Sequence, residues 1–311
     1  MKKHPIRVEF LKDPFSPLRV EKPFLKEGRA LRDHFEKTFR DPYRAHSGRF
    51  CWDYWSVPGQ YRLLRTPAGS FFPEPLFRPF LSRLLSWGRE TLGCQMISHP
   101  WLSAYTDGCF QNLHSDVPHG PFSFVYSLTP WGRRSFTGGE TLMATPTLLR
   151  YFSVMSPSHS HEEKDFLRAI PALEHQLAVF DPRYPHGVRT VQGVESVLDS
   201  RLVIHGWFTE PRTMLEGSLS PQKVSAPLDG LAASLLQKLT RSGTYSGLLS
   251  IRLNIQPSGR IGRVEVLTSH LLNRSGEVIP KRTLTALLAS EESTFPKSAG
   301  PTRITLPLEV T

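Results

Sequence analysis

In YTDGCFQNLHSDVPHG (residues 105–120), two side chains able to bind a metal, His114 and Asp116, stand two apart at the end of an expected strand. Residues 111–116 have the pattern of a strand, and its period of two sends both side chains to one face. Alone, such a pair equally describes two exposed loop residues. It gains meaning from DPRYPHGV (181–188), where His186 follows the apolar run LAVF and precedes another strand. Two histidines and one carboxylate from the ends of neighbouring strands are the donor set of an Fe(II) facial triad. Three adjacent coordination positions then stay open for oxygen ligands and O2.

Downstream, RLVIHGWF opens with Arg201, and on an extended strand Arg201, Val203, His205 and Trp207 share one face. An arginine buried beside aromatic residues is costly unless it meets an anion, and its planar fork suits a carboxylate. The alternative is an Arg201 on the solvent face. His205, by the same parity, lies on the face of Arg201. His119, between Pro118 and Gly120, reads as a turn residue, and His159 and His161 read as an exposed polar loop.

Around these motifs, residues 98–208 alternate short apolar runs with Gly, Pro, Asp and Asn, the grammar of an antiparallel sandwich or barrel. Ahead of them, spacings of three and four predict helices over 24–40 and 75–92, with an aromatic, short-stranded segment between. Residues 211–227 are rich in Pro, Ser and Gly and read as a linker. Beyond it a helix, a hairpin (248–256 and 261–269), a second helix (280–290) and a last strand (303–310) give a small α-β-β-α-β domain over 228–311. The expected division is therefore a domain over 1–210, a linker and a separate small domain. There is no internal repeat.

Composition narrows the function classes. With 311 residues, 39% hydrophobic and 11% aromatic, the chain can bury a large core, which excludes disorder. No apolar run is long enough to span a membrane, and the charged start lacks a secretory pattern, so a cytoplasmic protein is expected. Three cysteines without C-x-x-C spacing give neither a disulfide framework nor a structural zinc site. The net charge of +10 raises nucleic acid as a partner, but the distribution argues against it. There are 18 basic against 10 acidic residues over 1–100, 8 against 11 over 101–211 and 12 against 7 over 212–311, with no dense basic cluster.

Taken together, these residues resemble the prolyl-4-hydroxylase-like 2-oxoglutarate/Fe(II) dioxygenases. YTDGCFQNLHSD is similar to that family's strand leading into the metal motif. YSLTPWGRRSFTGGETLM (126–143) is similar to its tyrosine strand, loop and G-G-E-T element, and FDPRYPHGVRTV with SRLVIHGWF to its distal histidine and arginine strand. The resemblance implies a mainly β fold, a double-stranded β-helix (jelly roll) with helices packed on one sheet. It implies that His114, Asp116 and His186 hold Fe(II), that Arg201 binds the far carboxylate of 2-oxoglutarate, and that Tyr105 supports it. His205, Trp207 and Tyr126 are further pocket candidates. Two departures stand out: an interval of 15 residues from His186 to Arg201, read as a hairpin insertion VQGVESVLDS, and an insert over 143–171 expected to cover the mouth or touch substrate.

The activity so implied is hydroxylation of a substrate C–H bond with O2, releasing succinate and CO2, with ascorbate as a candidate accessory reductant. A peptidyl proline or other protein side chain is the first expectation for the substrate. A small molecule or nucleobase, or a non-catalytic binding protein, is the alternative. The last 85 residues resemble the C-terminal domain of the TonB energy-transducer family. In a chain without a membrane anchor, that resemblance implies a module that binds a partner or self-associates, its open sheet edge accepting a strand.

Overall fold

The computed structural model describes residues 6–25, 28–44, 46–49, 51–149 and 161–310. The chain divides into two compact units. The first holds Pro17–Ser86 and Met96–Thr209, and the second the described residues of Met1–Ser16, Trp87–Gln95 and Glu210–Thr311. No helix among the described residues is long and apolar enough to cross a membrane.

The first unit is a double-stranded β-helix, a jelly roll made of one curled antiparallel sheet. Its strands run in the order Leu167–Ile170, Thr141–Ala144, His186–Val188, Phe110–His114, Tyr61–Pro67, Trp101–Tyr105, Arg201–Pro211, Phe122–Ser127, Leu177–Phe180 and Leu18–Glu21. Asp53–Val57 adds a hairpin to Tyr61–Pro67, so the aromatic segment between the two predicted helices becomes part of the sheet. Period-two alternation sorts the long Arg201–Pro211 strand. Arg201, Val203, His205 and Trp207 line a cavity, whereas Leu202, Ile204 and Phe208 are fully buried on the other side.

Both predicted helices form, as Gly28–Phe39 and Glu74–Thr91. The first buries Leu31 and Phe35 and the second Phe77, Phe80 and Leu84, each set at spacings of three and four. Phe80 packs on Tyr126 at 4.9 Å between ring centroids and so ties its helix to the back of the sheet. Truncating this fully buried ring, Phe80→Ala, should cost about 3–5 kcal/mol.

The second unit has its own sheet, in the order Arg7–Phe10, Ile261–Ser269, Tyr245–Ile255, Thr302–Val310 and Met214–Gly217. Leu228, Leu231, Leu235 and Leu239 of the Pro221–Ser242 helix, with Leu284 and Leu288 of Lys281–Ala289, belong to one apolar core with Leu249, Ile251 and Leu253.

Three expectations differ from what is seen. Residues 211–227 are not a free linker: Met214–Gly217 pairs with Thr302–Val310, and Pro221 opens a helix that starts before residue 228. A proline in the first helical turn gives up an N–H that would have no partner there anyway, so a Pro-rich stretch can be a helix start. The start of the chain belongs to the small unit, because Arg7–Phe10 pairs in parallel with Ile261–Ser269. Ser250 Oγ also donates to Leu92 O at 2.6 Å, fixing a segment from the middle of the chain to that sheet. Lastly, residues 191–200 form no hairpin. They make one bridge, Thr137 to Gln192, and a short 3-10 turn at Val197–Asp199. Part of the 143–171 insert extends the large sheet as Leu167–Ile170, while residues 150–160 lie outside the described residues.

Candidate active site

His114 ends the Phe110–His114 strand and His186 begins His186–Val188, and these residues face each other directly in the antiparallel ladder. Gly187 makes the close approach possible, since a Cβ there would stand 2.4 Å from Gln111 O. Asp116 lies just beyond the strand rather than on it, yet it reaches both rings. Its Oδ1 is 3.6 Å from His114 Nε2 and its Oδ2 3.2 Å from His186 Nε2. One donor atom from each of the three lies within 4.8 Å of the others.

The hydrogen bonds fix which nitrogens are offered. His114 Nδ1 donates to Asn112 O at 2.8 Å and His186 Nδ1 to Tyr184 O at 3.0 Å, because a carbonyl can only accept. Each neutral imidazole therefore turns the lone pair of Nε2 toward Asp116. Gln111 Nε2, 3.2 Å away, donates to the lone pair of His114 Nε2. Two nitrogen lone pairs facing a carboxylate at 3.2–3.6 Å are mutually repulsive unless a cation lies among them. Burial lowers the pKa of His114, keeping its imidazole neutral and available. For Asp116 burial acts upward, but whenever His186 carries a proton on Nε2 its hydrogen bond, with the charge of the neighbouring imidazoles, outweighs burial and holds the carboxyl below its ordinary value. The residues thus fit a divalent metal in charge, donor type and tautomer.

Arg201, opposite Tyr105 in the sheet register, is only 1% exposed. Its Nη2 donates to Thr141 Oγ1 at 3.0 Å, and its guanidinium carbon lies 4.6 Å from the centre of the Tyr105 ring. Nε and Nη1 are buried and meet no acceptor. Such orphaned donors on a buried cation suit an anion. Thr141 comes from the G-G-E-T element, as does Gly139, whose φ of +79° suits glycine and where an added Cβ would lie 3.3 Å from Arg201 Cδ.

These groups share one cavity of about 430 Å³. His114, Asp116, His186, Arg201, Tyr105, His205 and Trp207 all line it. Tyr126 does not. It is fully buried on the opposite side of its strand, within 3.3 Å of His175 Nδ1 and packed on Phe24, while its neighbour Val125 faces the cavity. Parity decides this, since Val125 is the residue opposite His205. His205 bonds Ser103 Oγ through Nε2 at 2.8 Å, and burial together with Arg201 and Arg65 lowers its pKa to about 3. It therefore stays neutral in the wall.

Sequence reasoning missed several lining residues. His119, read as a turn residue, does lie in a 3-10 turn but stacks on Trp207 at 4.5 Å and lines the cavity. Thr141 sat within a quoted motif without a role, and Arg65 and Gln111 carried no local signal. His161 is no exposed loop residue, for it packs on Phe166 at 5.1 Å, and His159 lies outside the described residues.

No protein-family model matches the chain, and no curated protein matches it. Among solved structures, a Pseudomonas putida prolyl-4-hydroxylase aligns over 62% of this chain and 92% of its own at 16% identity, with a TM-score of 0.44. HygX from Streptomyces hygroscopicus, solved with nickel, 2-oxoglutarate and hygromycin B, aligns over 62% of this chain and 82% of its own at 14% identity, TM-score 0.41. SnoN, an alpha ketoglutarate dependent epimerase from nogalamycin biosynthesis, covers 62% and 78% at 11% identity, TM-score 0.41. At such distances the chemistry of this chain has to be argued from its own side chains.

Proposed function

We propose that the chain is a 2-oxoglutarate- and Fe(II)-dependent dioxygenase that hydroxylates a substrate C–H bond. One observation carries this: a three-donor metal site and a buried, unsatisfied arginine share a single cavity. His114 Nε2, Asp116 and His186 Nε2 would hold the metal, a donor set that would leave it free to take oxygen ligands as well. Arg201 takes the far carboxylate of 2-oxoglutarate through Nε and Nη1, with Thr141 and the Tyr105 ring fixing the guanidinium. Bound Fe(II) and 2-oxoglutarate supply the oxidative step, in which O2 is consumed, succinate and CO2 are released and an oxygen atom enters the substrate.

The chain's own contribution is orientation and exclusion of water. Asn112 O and Tyr184 O hold the two imidazoles in the metal-binding tautomer. His205, kept neutral, brings no charge that would compete with Arg201 for an anion. The cavity has room for the cosubstrate and for a group the size of an amino-acid side chain or a small molecule. A peptidyl proline or other protein side chain stays the proposed substrate on the sequence resemblance, with a small molecule as the second reading. For the C-terminal unit, its resemblance to TonB C-terminal domains supports a role in partner binding or self-association. The test is succinate formation from 2-oxoglutarate under air with added Fe(II). Turnover lost in Asp116→Ala is expected, and wild-type protein forming no succinate would refute the proposal.

A further inference from the structure

We propose that Arg65 is the anion-recognition group of the substrate half of the cavity, and that the substrate carries a carboxylate. This rests on the reading of Arg201 as the anchor of 2-oxoglutarate. Among the described residues lining the cavity, Arg65 and Arg201 are those with a permanent positive charge. Arg65 lies opposite Ser103, and Ser103 opposite Val203, two residues along the same face from Arg201. The two cations thus occupy successive rows of one sheet face. With the cosubstrate on Arg201, Arg65 is left for a second anion.

Its surroundings define that anion. The guanidinium carbon is 3.0 Å from the centre of the Trp55 indole and 3.9 Å from that of Trp101. The two ring centres are 6.4 Å apart with their planes inclined at 53°, so the guanidinium carbon lies between the two indoles. Between two indoles the nitrogen edge is the side open to a ligand. On that edge Nε is buried without an acceptor, and Asp53, its cross-strand neighbour, forms no ion pair with it among the described residues. A planar oxyanion meeting a guanidinium edge-on with two parallel hydrogen bonds is a carboxylate. Asp116, the one acid among the described residues lining the cavity, belongs to the metal site, so the partner has to come from outside. Trp207 Nε1 and Ser123 Oγ, cross-strand neighbours that also line the cavity, are buried without partners too and offer further polar contacts to the same molecule.

The probe is propionate, with propionamide as its neutral counterpart, titrated into the full chain loaded with Mn(II) and saturating 2-oxoglutarate so that Arg201 is occupied. Tryptophan fluorescence is the readout, because two indoles flank the site. Saturable propionate binding is expected, with propionamide at least tenfold weaker, and Arg65→Met should weaken propionate by about tenfold or more. Arg65→Lys, which keeps the charge but not the fork, should fall between wild type and Arg65→Met. 2-Oxoglutarate affinity and melting curves taken in parallel report an intact fold. Equal propionate affinity in wild type and Arg65→Met, equal affinity for acid and amide, or no saturation below about 100 mM would overturn the proposal. Loss of 2-oxoglutarate binding in Arg65→Met, with retention in Arg201→Met, would instead show that the roles of the two arginines are reversed and that the reading of the cosubstrate site fails.

Discussion

Replacing Arg201 by Met should move cosubstrate affinity and ligand-free stability in opposite directions. Arg201 is 1% exposed, bonded through Nη2 to Thr141, and meets no protein acceptor at Nε and Nη1, so without a ligand its charge is poorly compensated. A buried charge in that state is a burden, and burial pulls its pKa down. Methionine fills a similar volume against Tyr105 without charge, so the ligand-free variant should be neutral or up to a few kcal/mol more stable. At about 2–4 °C per kcal/mol, its melting temperature should rise or stay level. With 2-oxoglutarate the sign reverses. Leaving the far carboxylate buried without its partner costs about 3–5 kcal/mol, which is roughly two to three and a half orders of magnitude in Kd. Metal affinity should hardly change, since Arg201 bonds none of the three metal-site side chains. Anaerobic calorimetry with Mn(II) gives both affinities, and a thermal melt without ligand gives the stability. A 2-oxoglutarate Kd equal to wild type, or a ligand-free variant that melts well below wild type, would refute the reasoning.

Single His114→Ala, Asp116→Ala and His186→Ala variants should each lose turnover while circular dichroism stays native, because the two histidines sit at strand ends and Asp116 just beyond one; an unfolded spectrum would contradict that placement. Gly139→Ala should weaken 2-oxoglutarate and lower stability by roughly 1–3 kcal/mol, since the new Cβ would lie 2.9 Å from Phe136 and 3.3 Å from Arg201 Cδ at a left-handed φ; calorimetry and urea melts check it. His205 has a folded pKa of about 3 against about 6.5 when unfolded, so between these values the unfolded state holds the extra proton and stability falls as pH falls. His205→Gln should therefore lose less melting temperature than wild type between pH 7 and 5, and equal losses would count against it. A fragment of residues 228–311 lacks Arg7–Phe10 and Met214–Gly217, the strands at the two ends of its sheet, and the start of the Pro221–Ser242 helix. It should be insoluble or unfolded by circular dichroism.

How much could be read from sequence depended on how local each signal was. The alternation in RLVIHGWF placed Arg201, His205 and Trp207 on one face, and the structure puts all three on the cavity wall. Helix periodicity located Phe35 and Phe80 correctly within buried faces. Tyr126, a pocket candidate on the resemblance alone, faces away from the cavity because its register against the Arg201–Pro211 strand pairs residues 78 to 80 apart, information no local window holds. Arg65 was hidden for a related reason: its strand joins the sheet through pairings with residues 101–104 and 110–111, and its role arises from what those place beside it. The N-terminal strand was missed because a parallel pairing with residues 263–266 leaves no mark in a four-residue segment. Proline misled at 221, where it starts a helix instead of marking a linker.

The central claim is that Fe(II) and 2-oxoglutarate bind together in this cavity, with Asp116 among the metal's donors and Arg201 on the carboxylate. Anaerobic absorption spectroscopy tests it most directly, because 2-oxoglutarate chelating Fe(II) gives a metal-to-ligand charge-transfer band that neither gives alone. The band should appear in wild type only when both are present, vanish in Asp116→Ala, and in Arg201→Met return only at roughly a hundredfold or more higher 2-oxoglutarate. A wild-type protein without the band, or an Asp116→Ala variant that keeps it at wild-type concentrations, would contradict the account.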